Sequence, residues 1–180
     1  DAYSAYVTGA PRQLESAPRR VKSSFLLLNQ IRAGSFSCIF ETSDFAFAEL
    51  YQTVRDNILA NKMLKDGQSL VYFPQLIRQY QLTAEEVRDV ESYLDTFYEL
   101  LSKIKIRAYV ISLDMPQIEE LIKRLGLSTT DAIHVAWAAH GCEYLATQDS
   151  ALLNLRHRLE HPKIVPPSAL HTFPELKRES

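Results

Sequence analysis

Ser128 to Asp149 reads STTDAIHVAWAAHGCEYLATQD, and this stretch decides the fold. It opens with residues whose side chains accept from the unpaired N–H groups of a helix start, Ser128, Thr129 or Thr130. Asp131 then falls in the first turn, where the positive end of the helix dipole favours an acid. Ile133, Ala136, Trp137 and Ala139/His140 recur at helical spacing, and Gly141 suits a left-handed stop. Glu143 to Thr147 is extended in character, and Asp149 follows it. In open α/β sheets, sites gather beyond the carboxyl ends of strands. An acid at a helix start and an acid at a strand end can therefore face one crevice.

Working outward, the chain has 180 residues, 46% hydrophobic and 23% charged, which is enough apolar material for one globular domain spanning 1–180. The formal net charge is −2, so a polyanion must be held by a local patch or through metal ions. Cys38 and Cys142 sit in apolar settings and read as buried thiols of a reducing compartment, which points to the cytoplasm. No apolar run reaches membrane-spanning length, and no secretory signal is visible. The chain opens at Asp1 without a methionine, which leaves room for residues upstream.

Pro11 to Lys22 is polar and holds the most basic short cluster, Arg12, Arg19, Arg20 and Lys22, with Pro18 marking a helix start. Ser35 to Phe40 alternates like a strand, and Thr42 or Ser43 then caps a helix whose stripe is Phe47, Leu50, Tyr51, Val54 and Ile58. Glu49 lies off that stripe. Asn61 to Leu70 is loop-like in composition, Phe73 to Tyr80 a short helix, and Thr83-Ala-Glu-Glu86 a capping box. Residues from about 61 to 101 thus form a helical insertion. Arg107 to Leu113 reads as a buried strand, Pro116 opens a helix ended by Gly126, and Ala151 to Leu159 is a short helix. Lys163 to Val165 is a last strand, and the tail from Ser168 drapes over the surface. Strands alternating with helices imply an α/β protein with a mostly parallel central sheet and helices on both faces.

No glycine-rich phosphate loop, Cys/His metal spacing or nucleophile elbow is present. The carboxylates remain: Asp1, Glu49, Asp131 and Asp149. Gathered together they repel, unless some are protonated or a dication neutralises them. Hard oxygen donors suit Mg²⁺ or Mn²⁺ better than zinc.

Thr129-Thr130-Asp131-Ala132-Ile133-His134, followed by Tyr144-Leu145-Ala146-Thr147-Gln148-Asp149, resembles the C-terminal half of a PIN domain. Ser43 to Leu50 resembles that family's middle motif, with Glu49 as the second acid, and Asp1 to Val7 its opening segment. The resemblance runs along nearly the whole chain. It departs in lacking the first strand, in the long stretch from Asn61 to Leu101 and in the basic opening loop. It implies a three-layer α/β/α fold and a metal-dependent endoribonuclease of the VapC-like toxin type. Asp1, Glu49, Asp131 and Asp149 would then hold Mg²⁺ or Mn²⁺, with Ser43 or Thr147 orienting a ligand or water. Arg12, Arg19, Arg20 and Lys22 would meet the RNA backbone, which predicts salt-dependent affinity. An antitoxin protein or a second copy would be the partner, with Tyr93, Phe97 and Tyr98 as a docking face. Packing of those rings within the domain is the simpler account of them. The rival reading is a catalytically silent PIN-like module that binds RNA or protein.

Overall fold

The computed structural model describes residues 19–177; the expected roles of Asp1 and Arg12, and those of the Arg19 and Arg20 side chains, fall outside what it describes. Helix α1 (Arg19–Arg32) precedes β1 (Phe40–Ser43), α2 (Asp44–Lys65), a one-turn α3 (Phe73–Leu76), α4 (Ala84–Lys103) and β2 (Ile106–Tyr109). Then come α5 (Met115–Leu125), α6 (Thr129–Gly141), β3 (Tyr144–Ala146), α7 (Ser150–Asn154) and β4 (Lys163–Val165). The protein is mixed α/β, predominantly helical, with its named strands in two parallel pairs, β1–β2 and β3–β4. The chain divides into two compact units, Phe40–Val110 and Asp1–Ile39 with Ile111–Ser180.

In the unit Phe40–Val110, Phe40 pairs with Ile106 and Ser43 with Tyr109. Ser43 closes β1 and caps α2: it is buried, and its Oγ accepts from Ala46 N at 3.2 Å. Composition suggested a loop from Asn61, but α2 continues to Lys65. Leu59 and Met63, one turn apart and both fully buried, carry the apolar stripe past Asn61. Gly67, at φ 73°, takes the left-handed turn beyond the helix. Phe73 to Tyr80, expected to be one short helix, holds α3 and then the 3₁₀ turn Ile77–Gln79, with another 3₁₀ turn, Leu70–Tyr72, before it.

The capping box at Thr83 forms as anticipated, and Glu86 does more than cap. Its Oε2 accepts from Thr83 N at 2.7 Å, Thr83 Oγ1 at 3.0 Å and Lys62 Nζ at 2.7 Å, joining α2 to the start of α4. Lys62 Nζ also donates to Gln81 O at 2.9 Å. Further along, Phe47 stacks on Tyr98 with ring centroids 4.1 Å apart and meets Phe97 edge-on at 5.5 Å. The rings considered as a docking face are thus partly engaged by α2, although Tyr93 and Tyr98 stay half exposed, 49% and 50%.

Two strand expectations shift. The first strand begins at Phe40, the last residue of the predicted 35–40 segment. A strand exists only where a neighbour runs beside it, and β2 lies opposite Phe40–Ser43. Phe36 instead makes a single antiparallel bridge to Lys177. The second strand ends at Tyr109, where its partner ends, and it is exposed; Val110 beyond it is 86% accessible.

In the other unit, α5 starts at Asp114, whose Oδ1 accepts from Gln117 N at 3.2 Å, and ends before the left-handed Gly126 (φ 69°). Helices α5 and α6 form an antiparallel hairpin, since His140 near the end of α6 lies 3.7 Å from Asp114 at the start of α5. Ala132, Ile133, Val135, Ala136 and Ala138 are buried, so α6 is the centre of this unit. Gly141 is not the left-handed stop. It stays helical, Cys142 N still bonds Ala138 O, and the chain passes straight to extended backbone at Cys142. Cys38 and Cys142 are thiols, not a disulfide.

Strand β3 pairs with β4 from Tyr144↔Lys163 to Ala146↔Val165. The C-terminal segment is stitched down, because Leu170 and Leu176 are buried and Ser37 N bonds Leu176 O at 2.9 Å. Tyr144 Oη donates to Glu175 Oε1 at 2.7 Å. Among the described residues no helix is long and apolar enough to cross a membrane.

The Lys62 ammonium and the Thr83 donors hold the Glu86 carboxyl down at about 2, below its usual 4.5. A carboxylate with a depressed folded-state value stabilises the fold fully above the ordinary range and loses that contribution as pH falls toward 2. Thermal melts of Glu86→Gln and the parent should therefore differ most near neutral pH and converge by pH 2 to 3. A gap that stays constant with pH would remove the proposed charge contribution.

Candidate acidic site

The loop that follows β3 is built by short hydrogen bonds. Thr147 N donates to Val165 O at 3.0 Å, extending the ladder one step beyond Ala146. Thr147 Oγ1 then accepts from Asp149 N at 3.0 Å, a serine/threonine-type turn that fixes the backbone of the acid. Asp149 caps α7, with Oδ1 accepting from Ala151 N at 2.7 Å and Leu152 N at 3.1 Å. Its Oδ2 makes no hydrogen bond among the described residues.

Asp131 is held in a comparable way. Ser128 caps α6, accepting from Asp131 N at 3.1 Å, and its Oγ donates back to Asp131 Oδ2 at 2.7 Å. Oδ1 of Asp131 is uncommitted among the described residues. Both acids therefore do local work at helix starts and each keeps one oxygen available.

A strand that runs back beside the helix it follows would bring these two acids to one end of their unit. From Asp131 the helix descends roughly 15 Å to Gly141 at its rise per residue. The chain turns extended at Cys142, and a fully extended run from Glu143 to Asp149 would span about 20 Å. A cross-link agrees with this return. Arg158, just past α7, donates from Nη2 to Arg124 O at 3.4 Å, close to the turn that leads into Ser128. Asp114, by contrast, sits with His140 at the far end of α6 and is no part of this edge.

The basic α1 reaches the same loop. Gln148, between Thr147 and Asp149, donates from Nε2 to Ser23 Oγ at 2.6 Å. Arg19 and Arg20 open α1 one turn before Ser23, Lys22 adjoins it, and no acid lies in that first turn. Periodicity carries no signal for Ser23 or Gln148; only the fold makes them neighbours.

Glu49 belongs to the other unit, half-buried on α2, with its backbone carbonyl accepting from Thr53 Oγ1 at 2.8 Å. Ser43, expected to orient a ligand or water, uses its Oγ to cap α2. Among the described residues no three His, Cys, Asp or Glu side chains form a metal-holding group. The uncommitted oxygens of Asp131 and Asp149 are hard donors of the type that Mg²⁺ and Mn²⁺ take.

The cap separates two roles of Asp149. Replacement by Ala should cost about 1 kcal/mol of stability in urea unfolding, whereas Asn, which also caps, should keep nearly all of it. Equal losses in both variants would remove the capping role.

The chain matches no protein-family model, no curated protein and no solved structure.

Proposed function

We propose that this protein is a PIN-like, metal-dependent endoribonuclease that hydrolyses RNA phosphodiester bonds, of the VapC-like toxin type. What supports the reading is that Asp131 opens α6 and Asp149 follows β3, each with one carboxylate oxygen that makes no hydrogen bond among the described residues. The motif resemblance adds Glu49 and Asp1 as the remaining acids, and with them the three-layer α/β/α arrangement. Asp131 and Asp149 would hold Mg²⁺ or Mn²⁺, and the bound dication supplies charge neutralisation at the phosphate and an acidified water. Thr147 holds the backbone of Asp149 in place. The resemblance assigns Arg12, Arg19, Arg20 and Lys22 to the RNA backbone, a contact whose affinity would fall with salt.

A second reading has its own observation. Asp131, Asp149 and Ser43 all have capping tasks that account for them without catalysis. That favours a silent module that binds RNA or protein. In the toxin reading an antitoxin protein or a second copy is the partner, and light scattering of the purified chain distinguishes monomer from dimer.

RNA cleavage by the full chain with Mn²⁺ or Mg²⁺ tests the proposal. Asp131→Asn and Asp149→Asn should each lower the rate more than about 100-fold, because loss of even a ligand's supporting partner costs 10–100-fold. Undiminished cleavage in both variants would sink the nuclease assignment to these acids. Absence of both cleavage and calorimetric Mn²⁺ binding in the parent would favour the silent module.

A further inference from the structure

We propose that the cleft between α5 and α6 binds a single-ring organic acid, one with a hydrogen-bond donor at the end opposite its carboxylate. Neither Asp131 nor Asp149 lines this cleft, so the site stands independently of the nuclease reading.

The cleft follows from the helical repeat. Gln117, Glu120, Leu121, Arg124 and Leu125 fall at i, i+3, i+4, i+7 and i+8, which is one stripe of α5. Val135 and Ala139, one turn apart, form the α6 wall, where Ala139 offers only a methyl. Leu159 and His161, past α7, close the third side around a cavity of about 160 Å³. A cavity of about 150 Å³ holds one benzene ring. The leucines, Val135 and Ala139 give this one an apolar lining that suits such a ring.

The polar groups are sorted along the cleft. Acceptors, Gln117 and Glu120, stand toward the start of α5, and Arg124 stands at its end, on a cavity wall shared with His161. Gln117 Oε1 is buried and makes no hydrogen bond among the described residues, an unmet acceptor on a side chain that lines the cavity. The last torsion of a glutamine is soft, so the amide turns to meet a donor in the cleft at little cost. Arg124 lies seven residues on, about 10 Å along the helix axis. Its pairing with Glu120 is long, 3.5 Å, between side chains 64% and 68% exposed. Such a link is worth little and yields to a ligand carboxylate, which the guanidinium fork matches with two N–H groups. Arg158 adds a second guanidinium at this end, its Nη2 donating to Arg124 O at 3.4 Å. His161 is exposed, but Pro162 beside it is fully buried, which holds that backbone in place. A benzoic acid with a hydroxyl or amine at the 4-position, counted with its two hydrogen bonds, spans a length comparable to the Gln117–Arg124 separation. A neutral ring leaves the cationic end unmatched, and a second carboxylate meets the acceptors Gln117 and Glu120.

Calorimetric titration of the full chain with 4-hydroxybenzoate tests this, beside benzoate, phenol and phenyl phosphate. 4-Hydroxybenzoate should bind about fivefold more tightly than benzoate, the factor for one neutral hydrogen bond, and at least about tenfold more tightly than phenol, which lacks the anion. Arg124→Gln should weaken 4-hydroxybenzoate at least about tenfold. Gln117→Leu should weaken it about fivefold and leave benzoate unchanged, which a merely structural role for Gln117 would not do. Ala139→Leu, which fills the cavity, should abolish binding, and melting curves identify any variant that has lost its fold. Absence of binding at millimolar 4-hydroxybenzoate would overturn the proposal. So would an affinity that both Arg124→Gln and Gln117→Leu leave unchanged, or one that survives in a folded Ala139→Leu variant. Equal affinity for phenol, or tighter binding of phenyl phosphate, would overturn the assignment of a ring carboxylate.

Discussion

Parallel strands cannot be joined by a tight hairpin, and that constraint organises this molecule. Each pair needs a crossover of a dozen residues or more. For β1 and β2 the crossover is the long excursion through α2, α3 and α4; for β3 and β4 it runs through α7. The two strands of each pair therefore point the same way, and a helix start follows the strand end. Ser43 caps α2 directly after β1, and Asp149 caps α7 shortly after β3. Polar side chains collect at strand ends because helix N–H groups there need acceptors.

That economy shapes the candidate site. A cap needs an oxygen acceptor, and a metal ligand needs one too, so the same carboxylate can serve both by using its two oxygens separately. Asp149 gives Oδ1 to α7 and Asp131 gives Oδ2 to Ser128. Local hydrogen bonds of this kind fix the orientation of a side chain that would otherwise rotate freely. Pre-orientation suits a site that must hold donors in place before a ligand arrives. It also means that the presence of an acid at a helix start is no evidence of catalysis by itself.

Much of the local architecture was legible from residue types. The Thr83–Glu86 capping box, the Ser128 cap, the Gly126 stop and the succession of helices and strands follow from chemistry acting within a few residues. What failed had a partner at long range. Asn61 looked like the start of a loop, yet Leu59 and Met63 found a core to enter and the helix continued. Ser35 to Phe40 alternated like a strand, but among the described residues Phe36 makes an isolated bridge to Lys177 and Phe40 alone enters the β1–β2 ladder. Lys62 could not announce from its neighbours that it would close on Glu86. His140 likewise had no visible partner until the α5–α6 hairpin brought it to Asp114.

The amino-acid sequence by itself determined the helix caps, the succession of helices and strands and the two acids flanking α6 and β3. These rest on hydrogen-bond acceptors, glycine stops and apolar spacing, all of which act through neighbours along the chain. Only the tertiary structure decided where strands begin and end, which carboxylate oxygens remain uncommitted and that Ser23 meets Gln148. Those depend on which distant segment arrives alongside, and the contact between remote residues forms only once the core has packed.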